Sequence, residues 1–320
     1  MKKYLIAAAI FCVAFLCLPG RAVAGELITD PSGAFAVGIG PNGELFDYTS
    51  YVGFQRVADG YDPLKPGDPR DSWGVSANGS SAWADQAGDG SSGVSSIVSM
   101  GANGGTITTT ASGLGLQVTQ TYSFAPAGNI LLIGTTVTNI SGSVADSVLF
   151  QRDVDWDVSP TEYNENSFGN PVTGNVVDSS YHGFEYPDPL VAYGTSCAAG
   201  CNYTGDLGGG IELSLGNLAP GASASFTYLY GINSSQAIID GGVQYGGQTV
   251  DQLISEAQGL GAYYWIATQS SENGAHPNLG ENSAIIGVIP STSIPEPASF
   301  VAMAMGLAVL AARSRRRKNQ

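Results

Sequence analysis

The chain has 320 residues, 27 acidic and 12 basic, for a formal net charge of −15, and only two histidines. Between residues 25 and 297, Arg56, Lys65, Arg70 and Arg152 stand against all 27 acidic residues, a net charge of about −23. That argues against nucleic acid and anionic lipid surfaces as partners of this part. Glycine is frequent, at 44 residues, and Ser, Thr and Asn are common, which favours short strands and turns over helices.

The N-terminus has the layout of a secretory signal peptide over residues 1–24. Lys2 and Lys3 precede the apolar run Tyr4 to Leu18, which predicts a signal helix. Pro19-Gly20 breaks it, and Ala22 and Ala24 supply the small residues for cleavage before Gly25. Cys17 follows Phe15-Leu16, bulky residues where a lipoprotein signal wants small ones. Removal of both chain ends leaves an expected domain over 25–289, read as a mainly β, antiparallel β-sandwich with one short amphipathic helix.

Ala34 to Ile39 and Glu44 to Tyr48 read as strands around the turn Gly40-Pro41-Asn42-Gly43. The same stretch has GxGxxG spacing, but a dinucleotide site needs a helix starting inside it, and the turn followed by alternation predicts a hairpin instead. Asp59 to Asp71, with three prolines, reads as a surface loop. Trp73 and Trp83 are either core residues or platforms for sugar rings.

Ser92 to Met100, Thr106 to Thr110 and Leu114 to Phe124 read as glycine-punctuated strands. In the last, Leu116, Val118 and Tyr122 share a face that only Gln120 interrupts. Ile130 to Asn139 turns at Ser141-Gly142, and Val144 to Val158 is expected to return beside it as an antiparallel partner.

That return strand ends in Arg152-Asp153-Val154-Asp155-Trp156-Asp157-Val158. In extended backbone Asp153, Asp155 and Asp157 share one face. They form a calcium site of irregular shape, a solvated strand face, or part of a paired-carboxylate glycosidase centre. An EF-hand is excluded, because Val158 stands where that loop needs glycine. Unless a cation or Arg152 intervenes, the three carboxylates repel one another.

Cys197 and Cys201 are expected to form a small disulfide in an oxidising compartment rather than a metal site. Gly210 to Leu215 and Ser223 to Ile232 read as a hairpin. Thr249 to Gly259 is the one convincing helix, N-capped by Thr249, with Val250, Leu253, Ile254 and Ala257 on one face. Ala262 to Ala267 and Ser283 to Val288 close the strand series. No G-x-S-x-G elbow, H-E-x-x-H pair or Walker loop occurs.

The last 31 residues have three parts. A spacer over 290–297 ends in Pro295-Glu296-Pro297, an apolar segment fills 298–312, and a basic end over 313–320 holds Arg313, Arg315, Arg316, Arg317 and Lys318. As a helix, residues 298–312 would be about 22 Å long, short of the ~30 Å hydrocarbon core, so the segment enters a bilayer but anchors poorly. The basic end stays on the cytoplasmic side.

This arrangement resembles the PEP-CTERM sorting tail of exported bacterial proteins. The resemblance implies an exosortase-type membrane protease or transpeptidase as partner, cutting near Pro295-Glu296-Pro297. It also implies transient inner-membrane association, followed by release to the cell surface or extracellular matrix. The Asp-Trp-Asp-Val segment at Asp155 to Val158 is similar to one that recurs in other proteins with such tails.

Together these features predict a non-enzymatic surface or matrix protein. No cofactor is expected, unless calcium binds Asp153, Asp155 and Asp157, and extracellular polysaccharide is an additional expected partner. The alternatives are a carbohydrate- or calcium-binding module and, behind it, a glycan-active enzyme.

Overall fold

The structure is a computed structural model whose described residues are 25–85, 90–101, 103–235, 238–240, 243–245, 247–270 and 282–290. The signal segment, the sorting tail and His276 lie outside them.

Strands β1 (Glu26–Thr29), β2 (Phe35–Ile39) and β3 (Phe54–Arg56) form a small sheet at the start of the chain. There follow β4 (Asp71–Ala77), β5 (Ser80–Asp85), β6 (Ser91–Ser92), β7 (Ser95–Gly101), β8 (Gly104–Ala111), β9 (Leu116–Phe124), β10 (Ile130–Asn139) and β11 (Ala145–Asp155). The second half contributes β12 (Glu165–Pro171), β13 (Val176–Ser180), β14 (Ala199–Gly205), β15 (Gly208–Leu218) and β16 (Ser223–Ile232). A small pair, β17 (Ile238–Asp240) and β18 (Val243–Tyr245), precedes the helix α1 (Val250–Gly259), and β19 (Tyr264–Gln269) and β20 (Ser283–Pro290) complete the order.

The protein is mainly β, a sandwich of two antiparallel sheets. Among the described residues one has nine strands, β14-β12-β19-β20-β16-β10-β9-β8-β7, and the other six, β13-β15-β11-β4-β5-β6. Alternation along each strand sends every second side chain into the space between them. Phe150 of β11 meets Phe226 and Tyr228 of β16 there, with ring centroids 5.2 and 6.0 Å apart.

Two expected hairpins are corrected. Residues 130–139 and 144–158 do not pair: β10 lies between β9 and β16, whereas β11 lies between β4 and β15 in the opposite sheet. In the same way β15 and β16, read as a hairpin, belong to different sheets. Both turns are arches over the end of the core. Asn139 ties them together, its side-chain amide donating to the carbonyls of Ser143 (2.7 Å) and Leu218 (2.8 Å). The alternation had told which face of each strand is buried. It could not tell whether two buried faces lie side by side in one sheet or opposite each other across a core.

The helix forms where its period placed it. The Thr249 hydroxyl accepts the Gln252 backbone N–H, and the Gln252 side chain accepts that of Thr249, a capping box. Val250, Leu253, Ile254 and Ala257 are buried against Ile130, Leu229, Trp265 and Ile285, on the side of the nine-stranded sheet away from the sandwich core. Among the described residues no helix is long and apolar enough to cross a membrane.

The Gly38–Gly43 stretch ends β2 and turns, with no helix following it. Beyond the turn only single bridges, Ile39 to Leu45 and Asp47 to Val52, stand where a second strand was expected. Gly43 has φ +96°, and a Cβ there would collide with the Tyr122 hydroxyl.

Candidate functional site

Strand β11 carries titratable side chains on both faces. Inward, Arg152 is fully buried and reaches across the core. Its guanidinium donates to Asp71 Oδ2 (2.6 Å), Gln120 Oε1 (2.6 Å), the Gly43 carbonyl (2.8 Å) and the Tyr230 hydroxyl (2.8 Å). Tyr230 in turn donates to Asp71 Oδ1 at 2.7 Å. Burial penalises the guanidinium charge, but Asp71 and the surrounding oxygens more than offset this and push its pKa above the ordinary value. Gln120, the polar break in an otherwise apolar face, is thus a partner of Arg152. Arg152 therefore does not neutralise the aspartates that neighbour it in sequence.

Those aspartates project outward and then separate. Asp153 accepts the Gln151 side-chain amide (3.0 Å), which also donates to the Tyr186 carbonyl of the covering loop (2.7 Å). Burial pushes Asp153 well above the usual carboxylate range. Asp155 is the last residue of β11, and Asp157 follows with its N–H donating to the Pro63 carbonyl at 2.8 Å. The expected set of Asp153, Asp155 and Asp157 is therefore corrected. The cluster the fold assembles is Asp155, Asp157 and Asp206, each offering an oxygen within 4.8 Å of the others. Asp206 comes from the two-residue passage between β14 and β15, where the chain crosses from one sheet to the other.

Asp155 and Asp157 are 4% and 3% exposed, and Oδ1 of each has no hydrogen-bond partner. Desolvation, then repulsion from Asp157, Asp206 and Glu165, pushes Asp155 up to about 9. Desolvation and then Asp206 and Glu162 push Asp157 up to about 7. Glu165, at the start of β12, stands behind them and is raised to about 8, mainly by burial. Its oxygens accept the N–H groups of Tyr163 (2.7 Å), Val158 (3.2 Å) and Leu207 (3.4 Å), which pin both segments carrying the aspartates. Val158, where an EF-hand would need glycine, is a fully buried core residue. Nothing in the sequence around Gly205-Asp206-Leu207 marks Asp206 as a partner, since its neighbours in the cluster lie about fifty positions earlier.

Other expected residues are placed as follows. Trp73 is fully buried, stacked on Phe150 with its Nε1 donating to the Asn42 carbonyl, which closes it to a sugar ring. Trp83 is half-buried against Tyr186. A disulfide joins Cys197 and Cys201, with Cα atoms 5.1 Å apart. His182 is held within its own loop, Nδ1 accepting the Phe184 N–H at 3.1 Å. Ala22 and Ala24, Pro295-Glu296-Pro297, and the basic residues Arg313, Arg315, Arg316, Arg317 and Lys318 lie outside the described residues.

The family description "PEP-CTERM protein-sorting motif" matches residues 293–317. The tail thus marks an exosortase-targeted exported protein, transiently anchored in the membrane. The match does not extend into the sandwich. No curated protein matches the chain. One similar solved structure is a galactose mutarotase-like protein from Lactobacillus casei ATCC 334. It is 13% identical, covers 84% of this chain and 90% of its own, and has a TM-score of 0.35. A likeness that distant carries no argument about activity.

Proposed function

We propose that the chain is a non-enzymatic protein of the cell surface or extracellular matrix, set free there when its tail is cut near Pro295-Glu296-Pro297. The observation that carries this reading is the sorting motif at residues 293–317, followed by its cluster of arginines. After cleavage the exported body holds four basic and 27 acidic residues at most, so it repels anionic surfaces and stays soluble.

One part of that body suits contact with a neutral polysaccharide. From Gly90 to Ala145 the chain has no charged residue. The outward side chains of β8, β9, β10 and β16 include hydroxyl pairs such as Thr106–Thr121, Thr136–Ser225 and Thr138–Ser223. Rows of hydroxyls on a sheet face offer donors and acceptors without a charge to desolvate.

Mass spectrometry of the protein recovered outside the producing cell tests the reading. The expected C-terminus lies near Pro297, and Glu296→Ala leaves the uncut precursor in the membrane fraction. An extracellular form that still carries residues 300–320 would overturn it.

A further inference from the structure

We propose that Asp155, Asp157 and Asp206 bind one divalent cation, calcium, at the end of the sandwich where the chain crosses between its two sheets. The inference goes beyond the sorting reading and does not rest on the tail. Three observations carry it. The first is geometric: the three carboxylates come from separate segments, yet each has an oxygen within 4.8 Å of the others. Calcium binds oxygen at about 2.3–2.6 Å, so two oxygens on one ion stand at most about 5 Å apart. The cluster already meets that limit. Magnesium, at about 2.0–2.1 Å and near-octahedral, would demand a tighter set.

The second is the state of the buried oxygens. Asp155 and Asp157 are more than nine-tenths buried, and neither Oδ1 receives a hydrogen bond. A buried carboxylate oxygen without a donor is costly, and a cation is the partner that satisfies several at once. Two arginines near the cluster have other partners, and the attraction of Arg70 only partly offsets the repulsion on Asp155. Arg152 faces the opposite side of β11 on Asp71, and Arg70 donates to Asp85 Oδ2 (2.7 Å) and to the Glu185 carbonyl (3.1 Å). The repulsion among the three aspartates is what a divalent ion would relieve.

The third is the donor chemistry. The cluster offers carboxylate oxygens and neither histidine nor cysteine, a hard set that selects calcium over zinc or copper. Glu165 holds the site from behind through its backbone hydrogen bonds to the Val158–Tyr163 turn and to Leu207. The exposed Asp206 leaves one side open for water ligands and for entry of the ion. Bound there, the ion would fasten the end of β11 to the β14–β15 crossing and so join the two sheets.

Calorimetric titration of the full chain, purified in mild detergent and stripped with EDTA, tests the site. With calcium chloride we expect one saturable site per chain, with affinity in the range of extracellular modules, about 10⁻⁴–10⁻³ M. Asp206→Asn, at an exposed position that the fold does not need, should weaken binding at least tenfold, and Asp155→Asn should do the same. Asp251→Asn, in the exposed first turn of α1, should leave it unchanged. A flat calcium titration of the native chain overturns the proposal, as does binding that survives both Asp206→Asn and Asp155→Asn. Magnesium binding as tight as calcium binding overturns the choice of ion.

Discussion

The two faces of β11 bury charge in opposite ways. On the inner face Asp71 and Arg152 lie fully buried and are closed by Tyr230, Gln120 and the Gly43 carbonyl, so each charge has its partners within the protein. On the outer face, at the strand's end, Asp155 and Asp157 are almost as deeply buried, yet they gather with a third carboxylate, Asp206, and the attraction of Arg70 does not offset the repulsion on Asp155. A buried ion pair that is fully hydrogen-bonded contributes little beyond what an apolar pair would, but removing one member strands the other. A cluster of like charges has the reverse character. Removing one member relieves it, and an outside cation completes it.

That contrast sets the expected effects, and the largest is on the inner face. Arg152→Met leaves Asp71 buried without its counter-charge and should cost about 3–5 kcal/mol in urea unfolding. On the outer face, calcium at a hundred times its dissociation constant should raise the stability of the native chain by about 2.7 kcal/mol, and Asp206→Asn, at the same calcium concentration, should cut that gain to about 1.4 kcal/mol or less. Thermal unfolding with and without EDTA reads the difference.

The next effect has the opposite sign to the first. In EDTA at neutral pH, Asp155→Asn should stabilise the chain by about 1 kcal/mol, because the folded state opposes ionisation of Asp155, through burial first and then repulsion from Asp157, Asp206 and Glu165, and asparagine has no proton to hold. Equal losses for Arg152→Met and Asp155→Asn would erase the distinction between the faces.

A further effect depends on pH and concerns Glu212, on the outer face of β15 beside Gln151 and paired across strands with Asp178. Burial, then Asp178, raises its pKa to about 7. The folded state therefore binds this proton more tightly than the unfolded chain does. Its stabilising contribution is full below about 4.5 and is lost as the pH rises through about 7. Glu212→Gln should flatten that part of the stability profile in a pH series of denaturant midpoints.

Much of this architecture was written in local sequence. The alternation Leu116, Val118, Gln120, Tyr122 set the buried face of β9, polar break included, and that face is buried as expected. Thr249 and Gln252, followed by apolar residues at helical spacing, set the start and the inner face of α1. The site was legible only in part. Asp155 and Asp157 could be singled out from a run of alternating aspartates, but Asp153, two residues earlier on the same face, is diverted to Gln151 under the loop that holds Tyr186. Trp73 could be narrowed to core or platform by its chemistry alone, and the choice fell to Phe150 lying flat against it.

By itself, then, the sequence determined the sorting tail, the β class, the helix with its cap, and the inward face of most strands. These depend on residues within one or two turns of each other, through turn chemistry, capping and side-chain period. Only the tertiary structure decided that β10 and β11, like β15 and β16, enter opposite sheets, that Arg152 serves Asp71 and not the neighbouring aspartates, and that Asp206 completes their cluster. Backbone hydrogen bonds between strands are nearly blind to side-chain identity, and charges act through space on whatever the fold brings near. Neither is encoded in adjacent residues.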